Sequence, residues 1–524
     1  MNLYLRMLLI ACLCAPLMLS AQHVNHADLK PCGTIEGRSA WLKQYQLQPE
    51  RYEKNLDTLL YVPLTIHLLG TDEGLGFFPL AKLFDALCTL NSDYEQANIQ
   101  FYIEGDIRYL ANTAWNDHAT VLEGAAMMFA NNVENTLNCY FVTNPASNCG
   151  YNLPYAGIAM SKSCADAGDH TWAHEVGHAF SLPHPFLGWE GGVSHDNSVS
   201  HNFSNPAPPY VTYDYTYFKD TLILDTTIID TAWVELVDGS NCAFAADGFC
   251  DTAPDYLAGR WPCNNDLESN ILQTDPNGVQ FRSDATLFMS YSNDNCPDRF
   301  SPDQIAAMRA NLQDEKPNLL YNQTPGPDLA DAPTDLLSPI LNQSVHYAAV
   351  DLEWTPVEGA DGYVIQISRL ANFSPTLTTE YAAGASANLL VTDLDNNKTY
   401  YWRVRAYNFY DGCSTFSASA SFKTIELETA TNDRPLAGKL RVYPNPLSQK
   451  EALYFELPEA TATAFTSISL MDVSGKTLWA ASLGDLDLIA DQSFRMNLPA
   501  IPAGLYLLKV ISDQQQWIEK VVVE

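Results

Sequence analysis

Three histidines and one glutamate stand at spacings that can build a catalytic metal site. They are His174, Glu175 and His178 in His174-Glu175-Val176-Gly177-His178, followed by His184. Two histidines four apart lie one turn apart on the same helix face, so both imidazoles can reach one ion. Glu175 projects beside them, where a carboxylate can hold and deprotonate a water. A third protein ligand leaves the fourth position open, which separates a catalytic zinc from a closed structural one. A helix continued to His184 would carry it about 15 Å along the axis from His174. Zinc–nitrogen bonds are about 2 Å long, so the chain must turn back after His178. Pro183 gives it a reason to turn, because proline disfavours helix at the residue before it and cannot donate a helical hydrogen bond.

The run His174 to His184 resembles the metzincin pattern H-E-x-x-H-x-x-G-x-x-H, with Ser181 in place of the usual glycine. That turn generally needs a positive backbone angle, which costs a serine roughly 1–2 kcal/mol. A second signature follows at Leu287-Phe288-Met289-Ser290-Tyr291, with Cys296 and Phe300-Ser301-Pro302-Asp303-Gln304 after it. It resembles the Met-turn region of the pappalysin family, with Ser290 where the family has aspartate and Met308-Arg309 in reversed order. The resemblance implies that Met289 forms a hydrophobic floor beneath the ligands. It also implies that Tyr291 turns its hydroxyl toward the metal and stabilises an oxyanion.

The elements that must hold these residues read as mixed α/β. Leu59–Leu69, Ile99–Leu110 and Thr136–Thr143 have strand patterns, and Leu80–Gln96 and Thr120–Asn131 have helical ones. Tyr155–Ser161 is a short strand of small residues just before the zinc helix. In metzincins a strand in that place forms the cleft rim, so Gly157, Ile158 and Ala159 are expected to pair with extended substrate; the alternative is an ordinary edge strand. Some pappalysins prefer a basic residue just after the scissile bond, a part that Asp294 could play. The stretch Leu187–Asn241 suggests an inserted flap or hairpin beside the cleft.

Met1–Arg6 is basic, Met7–Leu19 apolar, and Leu19-Ser20-Ala21 ends in small residues, which reads as a secretory signal peptide cut after Ala21. No later run has the 18 or more apolar residues of a membrane span. Lys+Arg 28 against Asp+Glu 62 gives a net charge of −34, which argues against nucleic acid as a partner. Nine of the ten cysteines after the signal precede residue 300, so the oxidised part is the N-terminal half. Cys32, in Lys30-Pro31-Cys32-Gly33-Thr34, is either a disulfide partner or a thiolate blocking the open zinc position, as in the cysteine switch of some metzincin zymogens. If Cys32 is the switch and Cys413 is solitary in its own domain, eight cysteines remain for the catalytic domain. The segment around Cys242 and Asp247-Gly248-Phe249-Cys250-Asp251-Thr252 also resembles the pappalysins. There the resemblance implies crossed disulfides Cys242–Cys263 and Cys250–Cys296, and calcium near Asp251 and Asp255.

The composition changes after the catalytic region. The division expected is a signal peptide at 1–21, a propeptide-like segment at 22–57, a pappalysin-like domain at 58–323, and linkers at 324–334 and 426–438. Between the linkers, 335–425 resembles a fibronectin type III sandwich, with Trp354 and the alternation Tyr400-Tyr401-Trp402-Arg403-Val404-Arg405-Ala406. Its job would be spacing, or carbohydrate or protein binding. Residues 439–524 carry Val442-Tyr443-Pro444-Asn445-Pro446 and Gly504-Leu505-Tyr506-Leu507-Leu508-Lys509-Val510, and resemble the C-terminal sorting domain of type IX secretion in the Bacteroidetes. The fold expected is therefore a multidomain one, an α/β metzincin domain followed by two all-β sandwiches. The function expected is that of an exported zinc endopeptidase acting on proteins or peptides, with Glu175 as general base. The rival is a cell-surface binding protein whose zinc domain has lost activity.

Overall fold

A computed structural model describes residues 29–34, 37–52, 57–190, 202–214 and 229–326, and most of 334–523 apart from 427–439 and short breaks. The signal sequence read at 1–21 lies outside the described residues. The chain divides into two compact units. The first holds 1–336, 354–387 and 402–419; the second holds 337–353, 388–401 and 420–524.

The first unit is organised by one mixed sheet. Its strands are β1 (Lys30–Cys32), β2 (Leu60–Gly70), β3 (Ile99–Ile103), β4 (Arg108–Ala111), β5 (Leu137–Val142), β6 (Asn148–Leu153) and β7 (Gly157–Ser161). The spatial order is β1-β6-β7-β5-β2-β3, with β4 also pairing β2. β2 is buried on both faces, which explains its near-continuous apolar run. Only β6 runs antiparallel to its neighbour β7, and β1 adds to the outer edge of β6 in parallel. The predicted strand over 99–110 is two short strands, because Glu104-Gly105-Asp106 interrupts it and Gly105 takes φ +71°.

Helices α1 (Ala40–Leu47), α2 (Leu80–Tyr94), α3 (Val121–Asn131), α4 (Thr171–Ala179) and α5 (Pro302–Asp314) pack around this sheet. Two of them begin at a capping box. Thr120 and Glu123 form a capping box for α3, and Ser301 and Gln304 form another for α5, with Pro302 in the first turn. The Ser-x-x-Gln of the second signature is thus a helix start. The core joins Leu64, Ile66 and Leu68 of β2 to Leu83 and Leu87 of α2, Val176 of α4, and Met289.

Residues 335–425 are not set apart as a body of their own, since 354–387 and 402–419 group with the first unit. Particular contacts account for that grouping. Tyr407 packs on Phe84 with ring centroids 4.4 Å apart, Arg405 pairs with Asp85 at 2.8 Å, and Tyr381 Oη accepts the Ala81 N–H at 2.8 Å. Cys413 is disulfide-bonded to Cys88, which corrects its reading as a solitary cysteine. In the second unit, residues 441–523 form two four-stranded antiparallel sheets around Leu453, Phe455, Ile468, Leu470, Leu508 and Val521.

Candidate metal centre

Helix α4 carries His174, Glu175 and His178, all buried. The chain then turns through a Schellman motif: Ser181 N–H donates to His178 O at 2.9 Å, and Leu182 N–H to Gly177 O at 2.9 Å. Ser181 takes φ +71° and its hydroxyl accepts from Asn311 Nδ2 at 3.1 Å. The turn returns His184 to the other two imidazoles. The three Nε2 atoms form a triangle with sides of 3.1, 3.0 and 3.2 Å. One ion about 2 Å from each nitrogen fits that triangle.

The far nitrogens fix the rings. His174 Nδ1–H donates to Phe288 O at 2.7 Å, His178 Nδ1–H to Leu182 O at 2.7 Å, and His184 Nδ1–H to Glu190 Oε1 at 3.0 Å. Each Nε2 lone pair is thereby turned to the centre, as a ligand set requires. Burial lowers all three imidazoles, His174 and His184 to about 3, so they are neutral donors of electron pairs. Glu190 was missed by sequence reasoning. Its side chain is 6% exposed, burial raises it to about 7, and its other oxygen accepts the Gly188 N–H at 2.7 Å. Only its position six residues after His184 could have hinted at it, and no motif used here contains it.

Glu175 is fully buried, and desolvation raises it to about 8. Its Oε2 accepts from Thr34 Oγ1 at 3.1 Å, while Oε1 has no hydrogen-bond partner among the described residues. Room for it depends on Gly150, where a Cβ would stand 2.8 Å from Glu175 Cγ. Met289 lies under the helix, and a Cβ on Gly177 would overlap its sulfur. Tyr291 is buried with its ring centroid 5.0 Å from that of His184, and its hydroxyl donates to Cys32 O at 3.5 Å. Cys32 Sγ lies 3.7 Å from His178 Nε2 and within 4.8 Å of all three histidine ligand atoms. Cys32 is unpaired and buried, and burial raises its thiol.

Several expectations need correction. Gly157, Ile158 and Ala159 cannot pair with substrate, because β7 is flanked by β6 and β5 on both edges; the open edge belongs to β6 and is taken by β1. The disulfides are Cys242–Cys250 and Cys263–Cys296 rather than the crossed pair. The tight turn through Ala246 and Gly248, both at positive φ, brings Cys242 to Cys250 with Cα atoms 5.1 Å apart. Backbone bonds from Trp261 to Tyr291 and Asn293 bring Cys263 to Cys296. Asp251 and Asp255, the positions expected near calcium, both accept hydrogen bonds from protein groups. Asp251 accepts from Ser301 Oγ and Asp303 N at the start of α5, and Asp255 from Ser283 Oγ, Ser290 Oγ and Leu257 N. Asp294 pairs with Arg260 at 3.5 Å and shares a small cavity with His174 and Tyr291. The insert contains the antiparallel pair β8 (Tyr210–Asp214) and β9 (Ile229–Trp233), which covers Gly188; within the insert, 191–201 and 215–228 lie outside the described residues.

Comparison with known proteins adds one firm assignment. No curated protein matches the chain. Among solved structures, a promirolysin mutant from Tannerella forsythia is similar with a TM-score of 0.35 and 16% identity, over 56% of this chain and 97% of that one. Fibronectin(III)-like modules of Clostridium thermocellum CbhA give a TM-score of 0.14 and 10% identity, over 36% and 92%. Neither score carries an argument about the metal centre. Residues 441–524 match the secretion system C-terminal sorting domain, so the protein is exported through the periplasm and outer membrane to the cell surface or beyond.

Proposed function

We infer that the protein is a secreted zinc-dependent endopeptidase that hydrolyses peptide bonds of extracellular proteins. One observation carries the reading: three neutral imidazoles converge on one point beside a carboxylate with an unpartnered oxygen. Zinc bound there supplies a Lewis acid that acidifies water and polarises a carbonyl. Glu175 is the general base; its carboxylate stands beside the three imidazoles with one oxygen unpartnered among the described residues, where it can take a proton from water and return it to the leaving amine. Tyr291 supplies a hydroxyl to the developing oxyanion once Cys32 O no longer accepts it. Met289 and Glu190 hold the helix and His184 in place.

Cys32 fits latency. Its sulfur is the fourth potential ligand of the cluster, and Thr34 occupies the catalytic carboxylate. The segment 29–52 thus fits a propeptide seated on the site it restrains. The alternative of an inactive binding protein rested on Ser181, and a serine that completes the turn with all ligands gathered removes that motive.

The test uses the full chain after activation, incubated with a diverse peptide library with and without a zinc chelator. Cleavage that stops with chelator and returns with zinc is expected. The variant Glu175→Ala should keep zinc, measured by metal analysis, and lose cleavage by about 100-fold or more. A Glu175→Ala protein that cleaves like wild type would overturn the mechanism.

A further inference from the structure

The open edge of β6 governs where an extended peptide's side chains fall, because strands add by main-chain pairing. β1 occupies that edge in parallel, with Cys32 opposite Gly150 and the Asn152 N–H donating to Thr34 Oγ1 at 2.8 Å. A segment that must escape cutting gains by running against the productive direction. Substrate is therefore expected antiparallel to β6, which is also the stronger ladder. Residues directly opposite one another share a face, and alternate residues of β6 share a face. Gly150 faces α4, as its closeness to Glu175 requires, so Asn152 does too. A substrate residue opposite Asn152 points the same way, on the N-terminal side of the scissile bond.

A cavity of about 410 Å³ opens there, lined among others by Asn132, Asn138, Asn152, Tyr155, Ser181 and Lys316. Its wall is polar, and Asn152 is part of it. Asn152 is only 2% exposed, and its Nδ2 has no hydrogen-bond partner among the described residues. The Asn138 amide is already spent on Val133 O and Thr136 O, and Asn132 gives one of its two N–H groups to Ala156 O. Ser181 Oγ already accepts from Asn311, which leaves its hydrogen to donate. At the mouth Glu315 accepts from Tyr155 Oη at 3.0 Å, and Lys316 lies over the same ring at 5.0 Å. Tyr155 is 79% exposed and holds φ +59°, a strained position for an aromatic residue at a rim. A buried amide N–H without an acceptor is unfavourable, and a ligand oxygen would remove that cost.

On the reading of the chain as an endopeptidase, we propose that this cavity is a subsite for a side chain ending in a carbonyl or carboxylate oxygen. Asn, Gln, Asp and Glu belong to that class. The side chain stands about two residues before the scissile bond, and Asn152 Nδ2 is the donor that selects it.

The experiment profiles cleavage of a mixed peptide library by the activated full chain and by Asn152→Leu and Asn152→Asp. Wild type should enrich the four oxygen-bearing residues about fivefold at that position, the worth of one hydrogen bond. Asn152→Leu should erase the enrichment, and the nearly isosteric Asn152→Asp should shift it toward Lys and Arg. No enrichment in wild type, or the same enrichment in both variants, overturns the subsite. Fluorescence anisotropy with labelled, uncleavable Ala-rich hexapeptides carrying Gln or Leu at that position separates the two readings. Preference for Gln with no cleavage of any peptide sinks the endopeptidase and keeps the subsite. Neither preference nor cleavage sinks both.

Discussion

Single residues decide whether this centre closes. Gly177 is the space into which Met289 sulfur fits, and Gly150 is the space into which Glu175 fits. Both glycines are demanded by close approach, since neither holds a positive φ. Ser181 meets the opposite demand, a left-handed turn without a glycine, and its bond to Asn311 offsets part of the strain. Glu235 shows what burial does away from the centre. It is 3% exposed, its Oε2 has no partner among the described residues, and burial with the nearby Asp247 raises it from 4.5 to about 9. A carboxyl raised on folding stabilises fully below its unfolded pKa, and that contribution is lost as pH rises through the folded one. Thermal stability should therefore fall between about pH 4.5 and pH 9. In Glu235→Gln, which cannot ionise, melting curves across that range should be flatter than wild type. An identical slope in the two proteins would remove Glu235 from the account.

At the scale of elements, the N-terminal segment that bears β1 and α1 meets the site in two separate ways. β1 brings Cys32 and Thr34 to the ligands, and α1 anchors the segment with Leu42 and Tyr45 buried and Trp41 Nε1 donating to Asp314 at 2.8 Å. Cys32→Ala should shorten the lag before self-activation, because the thiol no longer reaches the ligands. Leu42→Ala, which costs about 2–5 kcal/mol of packing, should shorten it as well with the thiol intact. Activation time courses check both, and an unchanged lag in Cys32→Ala would leave α1 as the whole restraint. The spacing of His174, His178 and His184 made the convergence of the three imidazoles legible, because helical period and a proline are local signals. The long apolar strand β2 and helix α2 were legible for the same reason. Strand β6 was not. Asn148-Cys149-Gly150-Tyr151-Asn152-Leu153 has no strand-like composition, and its glycine and asparagine are there for Glu175 and the cavity rather than for the sheet. Glu190 and the disulfide partners were hidden because they depend on contacts made only once the chain has folded back.

The whole molecule is built for its route. Eight cysteines are paired in four disulfides among the described residues, and Cys88–Cys413 closes a loop with a sequence separation of 325. Such bonds form in an oxidising compartment, and the sorting domain sends the chain through the periplasm. The two features agree: the first unit can be oxidised and folded before the outer membrane is crossed. The sorting domain has a core of its own, with Leu453 and Phe455 from one sheet against Ile468, Leu508 and Val521 from the other. Its recognition therefore need not depend on the metal centre. A chain ending before residue 441, expressed in a type IX-secreting cell, should accumulate in the periplasm, while the full chain reaches the surface or the medium. Immunoblots of cell fractions check this, with nonreducing gels showing whether the retained chain carries its disulfides. Retention with the disulfides formed would separate folding from export. Appearance of the shortened chain outside the cell would show that a second signal lies upstream of residue 441.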